Sequence, residues 1–297
     1  MTTFASLVEE VLSVLRGYTR NQDQSTYLTS AWTSPATTFS VAKASRVNAS
    51  IVEVGDELVE IDEVDRTLNT VTVPPYGRGA QGTTTVSSYP SGTKVTANPT
   101  WPRFRVKKAI NDTIQAVGGS LFNIQKYTFT ADATKVGFGI PATTSAIFDV
   151  RWRLPDGYNN WWPVDNWDIN LSADTTDFPT GVSLDILEGL THGCSVSVTV
   201  GQDPIEFVSD SDTMTTIGLP ESCRDVLVYG AVWRLLSSVD AARLSNQSLT
   251  GLELADQSQP QLGGNLTQQI WRVFSIRLTA EIAEQQRRYP GKIHRVR

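Results

Sequence analysis

Apolar side chains recur every three to four residues in some stretches of the chain and every second residue in others, and the alternation of these two periods predicts its elements. Phe4, Leu7, Val8, Val11, Leu12 and Leu15 share one side of a helical wheel, with Glu9, Glu10 and Arg16 elsewhere on it, so a first helix runs to the stop at Gly17. From Asn21 to Ser45 the chain is rich in Thr, Ser and Gln without a helical period, and Ala31-Trp32 is its main apolar anchor; this reads as linker passing into strands. Between Ile51 and Val95 the period becomes two: Leu58, Val59, Ile61 and Val64, then Thr67 to Val73, then Thr93-Lys94-Val95, punctuated by Gly55-Asp56, Asp65-Arg66 and Pro74-Pro75. A second helix over Arg103 to Val117 follows Pro102, with Val106, Ile110, Ile114 and Val117 on one face and Gly118-Gly119 as its end.

From Gln125 to Val200 the pattern is again that of strands: Tyr127/Phe129, Val136/Phe138/Ile140, Ile147 to Trp152, Val164 to Leu171 and Val196/Val198/Val200. Leu219-Pro220-Glu221-Ser222 opens a third helix that is apolar nearly all round, from Val226 to Leu236, and is expected to run to about Leu244. After the polar stretch from Ser245 to Gly264, a fourth helix is expected from about Asn265, as N-cap, to Arg288, which at helical rise is about 36 Å. It carries two apolar stripes. Ile270, Trp271, Phe274, Leu278 and Ile282 form one; Val273, Ile276, Ala280 and Ala283 form the other, and two stripes call for two neighbours, one of them a second subunit.

The order of elements predicts an α+β fold: a four-helix bundle with two β-rich insertions and an extended C-terminal arm. The expected segments are helix one in 1–20, the first β insertion in 30–98, helix two in 100–119, a second, sandwich-like insertion in 125–207, helices three and four in 219–289, and the arm in 290–297.

Charge sharpens this picture. The net charge of −6 argues against a chain whose whole surface grips nucleic acid, since phosphate affinity is carried by Lys and Arg. Seven acidic side chains and no basic one fall between Glu53 and Asp65, which reads as a solvated strand edge. From Arg272 to Arg297 seven basic residues face only Glu281 and Glu284. Pro290 ends the fourth helix, and Ile293 and Val296 alternate among basic residues, so Tyr289, Pro290, Gly291, Lys292, Ile293, His294, Arg295, Val296 and Arg297 read as an arm that adds a strand to another protein's sheet. No stretch approaches the ~20 apolar residues of a membrane span, and the start of the chain is expected to be mature and soluble.

Candidate chemistry is sparse. Gly77-Arg78-Gly79-Ala80-Gln81-Gly82 spells a dinucleotide-binding turn, but Pro74-Pro75 precede it and Thr83-Thr84-Thr85-Val86 follow, where a helix should begin; a glycine-rich hairpin connection fits better. Trp161, Trp162 and Trp167, set among Asp156, Asp165 and Asp168, mix indoles and carboxylates as glycan sites do, although packing or a subunit interface explains them more simply. Only His192 and His294 are present, too few for a zinc site with Cys194, and both Cys194 and Cys223 are expected to be buried thiols. No Gly-x-Ser-x-Gly elbow occurs. No cofactor, metal or catalytic residue is expected.

Four stretches together resemble the head-to-tail connector adaptors of long-tailed bacteriophages. Asp56-Glu57-Leu58-Val59-Glu60-Ile61, Thr67 to Val73, and Gly77-Arg78-Gly79 to Gly92-Thr93-Lys94-Val95 look like the hairpin-rich insert of phage neck and tail proteins. Trp101-Pro102-Arg103-Phe104-Arg105-Val106 through Asn111 is similar to the second-helix opening of such adaptors, and Ile217 to Ser222 running into Val228 to Leu236 is similar to their central helix. The last is the long final helix ending in Arg287-Arg288-Tyr289-Pro290 with a short basic tail. The resemblance implies a non-enzymatic subunit of a dodecameric ring in the virion neck, below the portal, joined to stopper or tail-terminator proteins. It also implies a channel through which DNA passes without sequence-specific binding, with Tyr289 to Arg297 docking on the portal; the second stripe, Val273, Ile276, Ala280 and Ala283, is the expected subunit interface on the helical pattern itself. The alternatives are a virion or surface carbohydrate-binding module using residues 156–168, or another neck or tail protein such as a stopper. The β region from Gln125 to Val200 is a departure from the adaptor pattern.

Overall fold

A computed structural model describes residues 1–18, 23–132, 137–155, 160–250, 262–289 and 294–295, of which 239–250, 262–265 and 294–295 are described by backbone alone. In chain order these residues form α1 (Phe4–Arg16), β1 (Gln24–Tyr27), β2 (Trp32–Thr33), β3 (Thr38–Ser40), β4 (Ile51–Val54), β5 (Glu57–Glu60), β6 (Glu63–Asp65), β7 (Thr70–Thr72), β8 (Ser88–Tyr89), β9 (Lys94–Ala97) and α2 (Arg103–Val117). There follow β10 (Asn123–Thr130), β11 (Gly137–Gly139), β12 (Thr144–Arg153), β13 (Trp162–Pro163), β14 (Trp167–Asn170), β15 (Ser183–Ile186), β16 (Ser195–Gln202), α3 (Arg224–Thr250), α4 (Leu262–Arg288) and β17 (His294–Arg295). The chain divides into two compact units, one of Ala5–Asp112 and Val228–Ile270, the other of Met1–Phe4, Thr113–Leu227 and Trp271–Arg297.

In the first unit three small antiparallel sheets, β1-β9-β4-β5, β3-β7-β6 and β2-β8, enclose one core. Leu28, Trp32, Phe39, Val52, Val54, Val59, Val71, Tyr89 and Val95 all contribute to it. Strand pairing supplies the backbone partners, and the alternation of side chains puts Val52 opposite Val59 on the buried face. Leu7, Val8, Val11 and Leu15 of α1 are fully buried, as the helical period requires. Pro102 places no donor before α2, and the buried carboxylate of Glu53 accepts the Arg103 N–H at 2.5 Å, capping the helix from a neighbouring strand. Arg103 also pairs with Glu9 of α1 and, at 3.2 Å, with Asp56, whose other oxygen takes Lys107 at 2.5 Å.

The second unit holds two sheets, β10-β16-β12-β13 with β17 also on β12, and β11-β15-β14. Ile147, Val150, Val196, Val198 and Val200 of one and Leu184 and Ile186 of the other share a core, so the sheets lie face to face as a sandwich. β12 and β16 slip register between Thr144 and Ala146 and between Ile147 and Asp149, irregularities that bend the strand. Phe4 stacks on Phe207 with ring centres 4.6 Å apart.

This is not a four-helix bundle carrying insertions. Helices form close to where the period places them, yet the chain is β-rich, with its strands gathered in five antiparallel sheets, and those sheets build the cores of both units. A strong helical period over a few turns is easily mistaken for the scaffold, whereas short Val- and Thr-rich strands acquire their buried face only when paired. At finer scale α3 continues past Leu244 to Thr250, since neither Pro nor Gly occurs between Leu244 and Gly251, and α4 starts at Leu262 rather than at an Asn265 cap. Thr67 and Leu68, expected in a strand, form a turn in which both N–H groups donate to Asp65 Oδ1. The strand β15 has no counterpart among the expected strands, and among the described residues no helix is long and apolar enough to cross a membrane.

Candidate functional site

The fourth helix has two unlike sides. Within the second unit, one side is bound to its own chain: Phe274 is buried, Arg277 lies 3.4 Å from Asp225, and Glu281 accepts the Ser222 hydroxyl at 2.6 Å. One turn further, Gln285 donates Nε2–H to the Phe122 carbonyl at 2.8 Å and accepts the Phe122 N–H at 3.3 Å, and Tyr289 rests 5.8 Å from the Phe148 ring. These positions repeat at i, i+3, i+7 and i+11, which is one face of a helix. The opposite face presents Val273, Ile276, Ala280 and Ala283, all exposed, with Ile276 at 68%. Of the residues expected on the first stripe, Ile270 and Phe274 are buried, Leu278 and Ile282 are half-buried, and Trp271 is 44% exposed. At the C-terminal end Glu284 accepts from both Arg287 and Arg288, whose guanidinium groups hold its carboxyl below the usual range.

The arm is described only in part. Tyr289 ends the packed part of the helix, and β17 pairs antiparallel with β12, His294 opposite Ile147 and Arg295 opposite Ala146. A strand addition does occur here, to the chain's own sheet. Pro290, Gly291, Lys292, Ile293, Val296 and Arg297 lie outside the described residues.

Among the described residues of the Trp-rich segment, the three indoles have different surroundings. Trp161 lies 5.3 Å from Lys126 Nζ and 4.9 Å from the Arg153 guanidinium, so two cations already attend its ring. Trp162, in β13, sits against Trp152 at 5.1 Å, and Trp167 belongs to β14 of the other sheet, packed on the core. Asp165 and Asn166 donate their N–H groups to Glu188, while Asp168 accepts from Ile169. Asp156 lies outside the described residues.

The glycine-rich turn cradles an anion, and that anion belongs to the chain. Glu57, fully buried, accepts from Arg78 Nε and Nη2 at 2.7 Å each, from Gly79 N at 3.0 Å, from Val86 N at 3.2 Å and from the Tyr89 hydroxyl at 2.9 Å. Gly79 has φ +67°, and a Cβ there would come 2.9 Å from the Thr83 carbonyl, which is why glycine stands at this point. The donors a nucleotide phosphate would need are thereby occupied. The acidic run is accordingly not one solvated edge: Glu53 and Glu57 are interior, Asp56 is ion-paired, and Glu60, Asp62 and Glu63 are exposed.

Cys194 and Cys223 are both buried and free. Burial and the neighbouring Glu281 carboxylate push the Cys223 thiol up to about 12, so it stays protonated. His192 is exposed, 3.7 Å from Asp132, and among the described residues no His, Cys, Asp and Glu cluster could hold a metal ion. No protein-family model matches the chain, and no curated protein is significantly similar to it.

Proposed function

We propose that the chain is a structural head-to-tail connector subunit that forms a ring below the portal of a long-tailed phage, joins the head to stopper or tail, and leaves a channel for DNA. The reading rests on one observation above the rest. The long helix α4 is fastened along one side by Asp225, Ser222 and Phe122 and offers on the other an exposed stripe of Val273, Ile276, Ala280 and Ala283. Leaving such a stripe in water forfeits burial that a neighbouring copy would supply, and small residues at 280 and 283 let a second backbone approach closely. A ring subunit needs a heterologous patch of this kind, because the contact must close on itself through successive copies.

The resemblance of the hairpin insert, the α2 opening and the basic C-terminal end to connector adaptors supports the same reading. The glycan-binding alternative draws no support from the divided positions of Trp161, Trp162 and Trp167.

Imaging of particles carrying an epitope-tagged copy of this chain tests the proposal. Label in a ring between capsid and tail is the expected result. Label elsewhere, or a chain working as a single molecule with the α4 stripe open to water, overturns it.

A further inference from the structure

The second unit contains a cavity of about 270 Å³ that the connector reading does not use. It is bounded by the segment entering β10, the turn before α3 and the C-terminal half of α4. Leu121, Phe122 and Leu219 give it an apolar wall, each exposed by 3% or less, and Tyr289 also lines it. The wall is fixed rather than collapsible. The Gln285 amide clamps the Phe122 backbone through two hydrogen bonds, and Gly218, at φ +83°, brings its backbone so close to Asn123 that a Cβ would lie 2.3 Å from the Asn123 Cγ. A preformed wall spares the ordering cost that a flexible one would impose on a ligand.

One carboxylate on this wall makes no ion pair among the described residues. Glu281 accepts from two neutral groups, the Ser222 hydroxyl at 2.6 Å and the Cys223 thiol at 3.7 Å, and among the described residues no cation lies within ion-pair distance of it. The other carboxylate of the lining, Glu284, accepts from Arg287 and from Arg288 Nε; the Arg288 guanidinium also lines the cavity and its charge reaches the Cys223 thiol, but it makes no ion pair with Glu281. The unfilled requirement is a cation carried on an apolar stem. The volume falls below the roughly 300–1,000 Å³ of drug-sized sites and suits a single long side chain. A guanidinium meets it better than an ammonium, since its planar fork matches a carboxylate and its face stacks on rings such as Phe122 and Tyr289.

We infer that this cavity is a receptor for an arginine side chain presented by a partner polypeptide, its guanidinium on Glu281 and its stem along Phe122 and Leu219. The inference is independent of the ring: it concerns what the cavity accepts, whichever assembly supplies it.

The probe is N-acetyl-arginine amide, titrated into the full chain while backbone amide signals of Phe122, Asn123 and Gly218 are followed by NMR. Saturable shifts at these positions are expected, with the uncharged citrulline analogue at least about tenfold weaker, the loss that removing a charge-assisted hydrogen bond entails. Glu281→Gln should weaken the arginine probe by a similar factor, whereas Ser222→Ala, which only frees Glu281 from a neutral donor, should leave binding within about threefold. Absence of shifts, or equal binding of arginine and citrulline probes to the native chain, overturns the inference, as does undiminished binding to a folded Glu281→Gln variant. The citrulline comparison needs no variant and decides the matter even if Glu281→Gln does not fold.

Discussion

Glu57 and Arg78 meet through two parallel hydrogen bonds of 2.7 Å, with Glu57 sealed from solvent and Arg78 lying 4.2 Å over the ring of Trp32. Twenty-one residues apart in sequence, they pin the glycine-rich turn to β5. Removing Arg78 leaves a buried carboxylate without its cation, a change that costs about 3–5 kcal/mol in comparable sites. Arg78→Ala is therefore expected to lower the urea midpoint sharply at pH 7, with Arg78→Lys intermediate because it keeps the charge without the fork or the stacking.

The pH dependence of that penalty follows from the same geometry. Burial pushes the Glu57 carboxyl up, but hydrogen bonds from Arg78, Val86 and Tyr89 and the charge of Arg78 outweigh it and hold the group below the usual carboxylate range. A depressed acid stabilises the fold above its unfolded value near 4.5 and loses that contribution as pH falls through the folded one. The difference between wild type and Arg78→Ala should thus narrow in acid; a constant difference from pH 7 downward would mean that the Glu57–Arg78 pair is not its source.

Glu53 behaves in the opposite sense. Burial pushes its carboxyl up to about 7, against the Arg103 N–H and the nearby charges of Arg103 and Lys94, while Asp56 adds to the rise. A raised acid stabilises fully below the unfolded value near 4.5, and that contribution is lost as pH climbs through the folded value. Glu53→Gln keeps an oxygen for the Arg103 N–H and carries no charge to desolvate. It should be more stable than wild type at pH 8 by ~1–3 kcal/mol, converging with it below pH 4.5, as read from chemical denaturation at the two pH values. A variant less stable at pH 8 would mean that the ionised carboxylate serves the fold.

What the one-dimensional pattern conveyed depended on how local each requirement is. All six apolar positions of α1 and all four of α2 are buried, because a helix sorts its own faces within a few turns. The sheets were harder. Ser183–Ile186 carries its pattern in four residues and becomes recognisable only once paired with Trp167–Asn170 and Gly137–Gly139. Glu57 did leave a signal, a charge beside Leu58 and Val59 in a buried strand, and a charge there demands a partner; Arg78 in the turn was available to be that partner. The cavity beside Glu281 left none, since its walls come from residues 121–124, 215–223 and 281–289, which only the fold brings together.

Under the connector proposal the α4 stripe should separate folding from assembly. Ile276 is 68% exposed, so Ile276→Asp removes little that the isolated chain uses and should alter its stability by no more than ~0.5 kcal/mol. In a ring the same change buries a carboxylate against apolar neighbours and should abolish assembly. Circular dichroism and thermal unfolding check the first expectation, and electron microscopy of particles checks the second. Normal rings with aspartate at 276 would move the subunit contact to another face.

Removing residues 290–297 asks whether the basic tail serves the chain or its partner. In the isolated chain the described part of the tail adds β17 to β12 over only two residue pairs, at Ala146 and Ile147, while the helix before it is held independently by Glu281, Gln285 and Tyr289. Loss of so short a ladder should cost the fold at most about 1–2 kcal/mol, the worth of one or two net hydrogen bonds. If the tail's principal work is portal docking, as the connector proposal holds, the truncated chain should remain folded, with an unchanged near-ultraviolet spectrum, yet co-sediment poorly with portal assemblies. Attraction of its basic side chains makes the intact interaction salt-sensitive, and the truncated one should be less so. Equal co-sedimentation with and without residues 290–297, across a range of salt, would restrict the tail to closing its own sheet and shift portal contact elsewhere on the subunit.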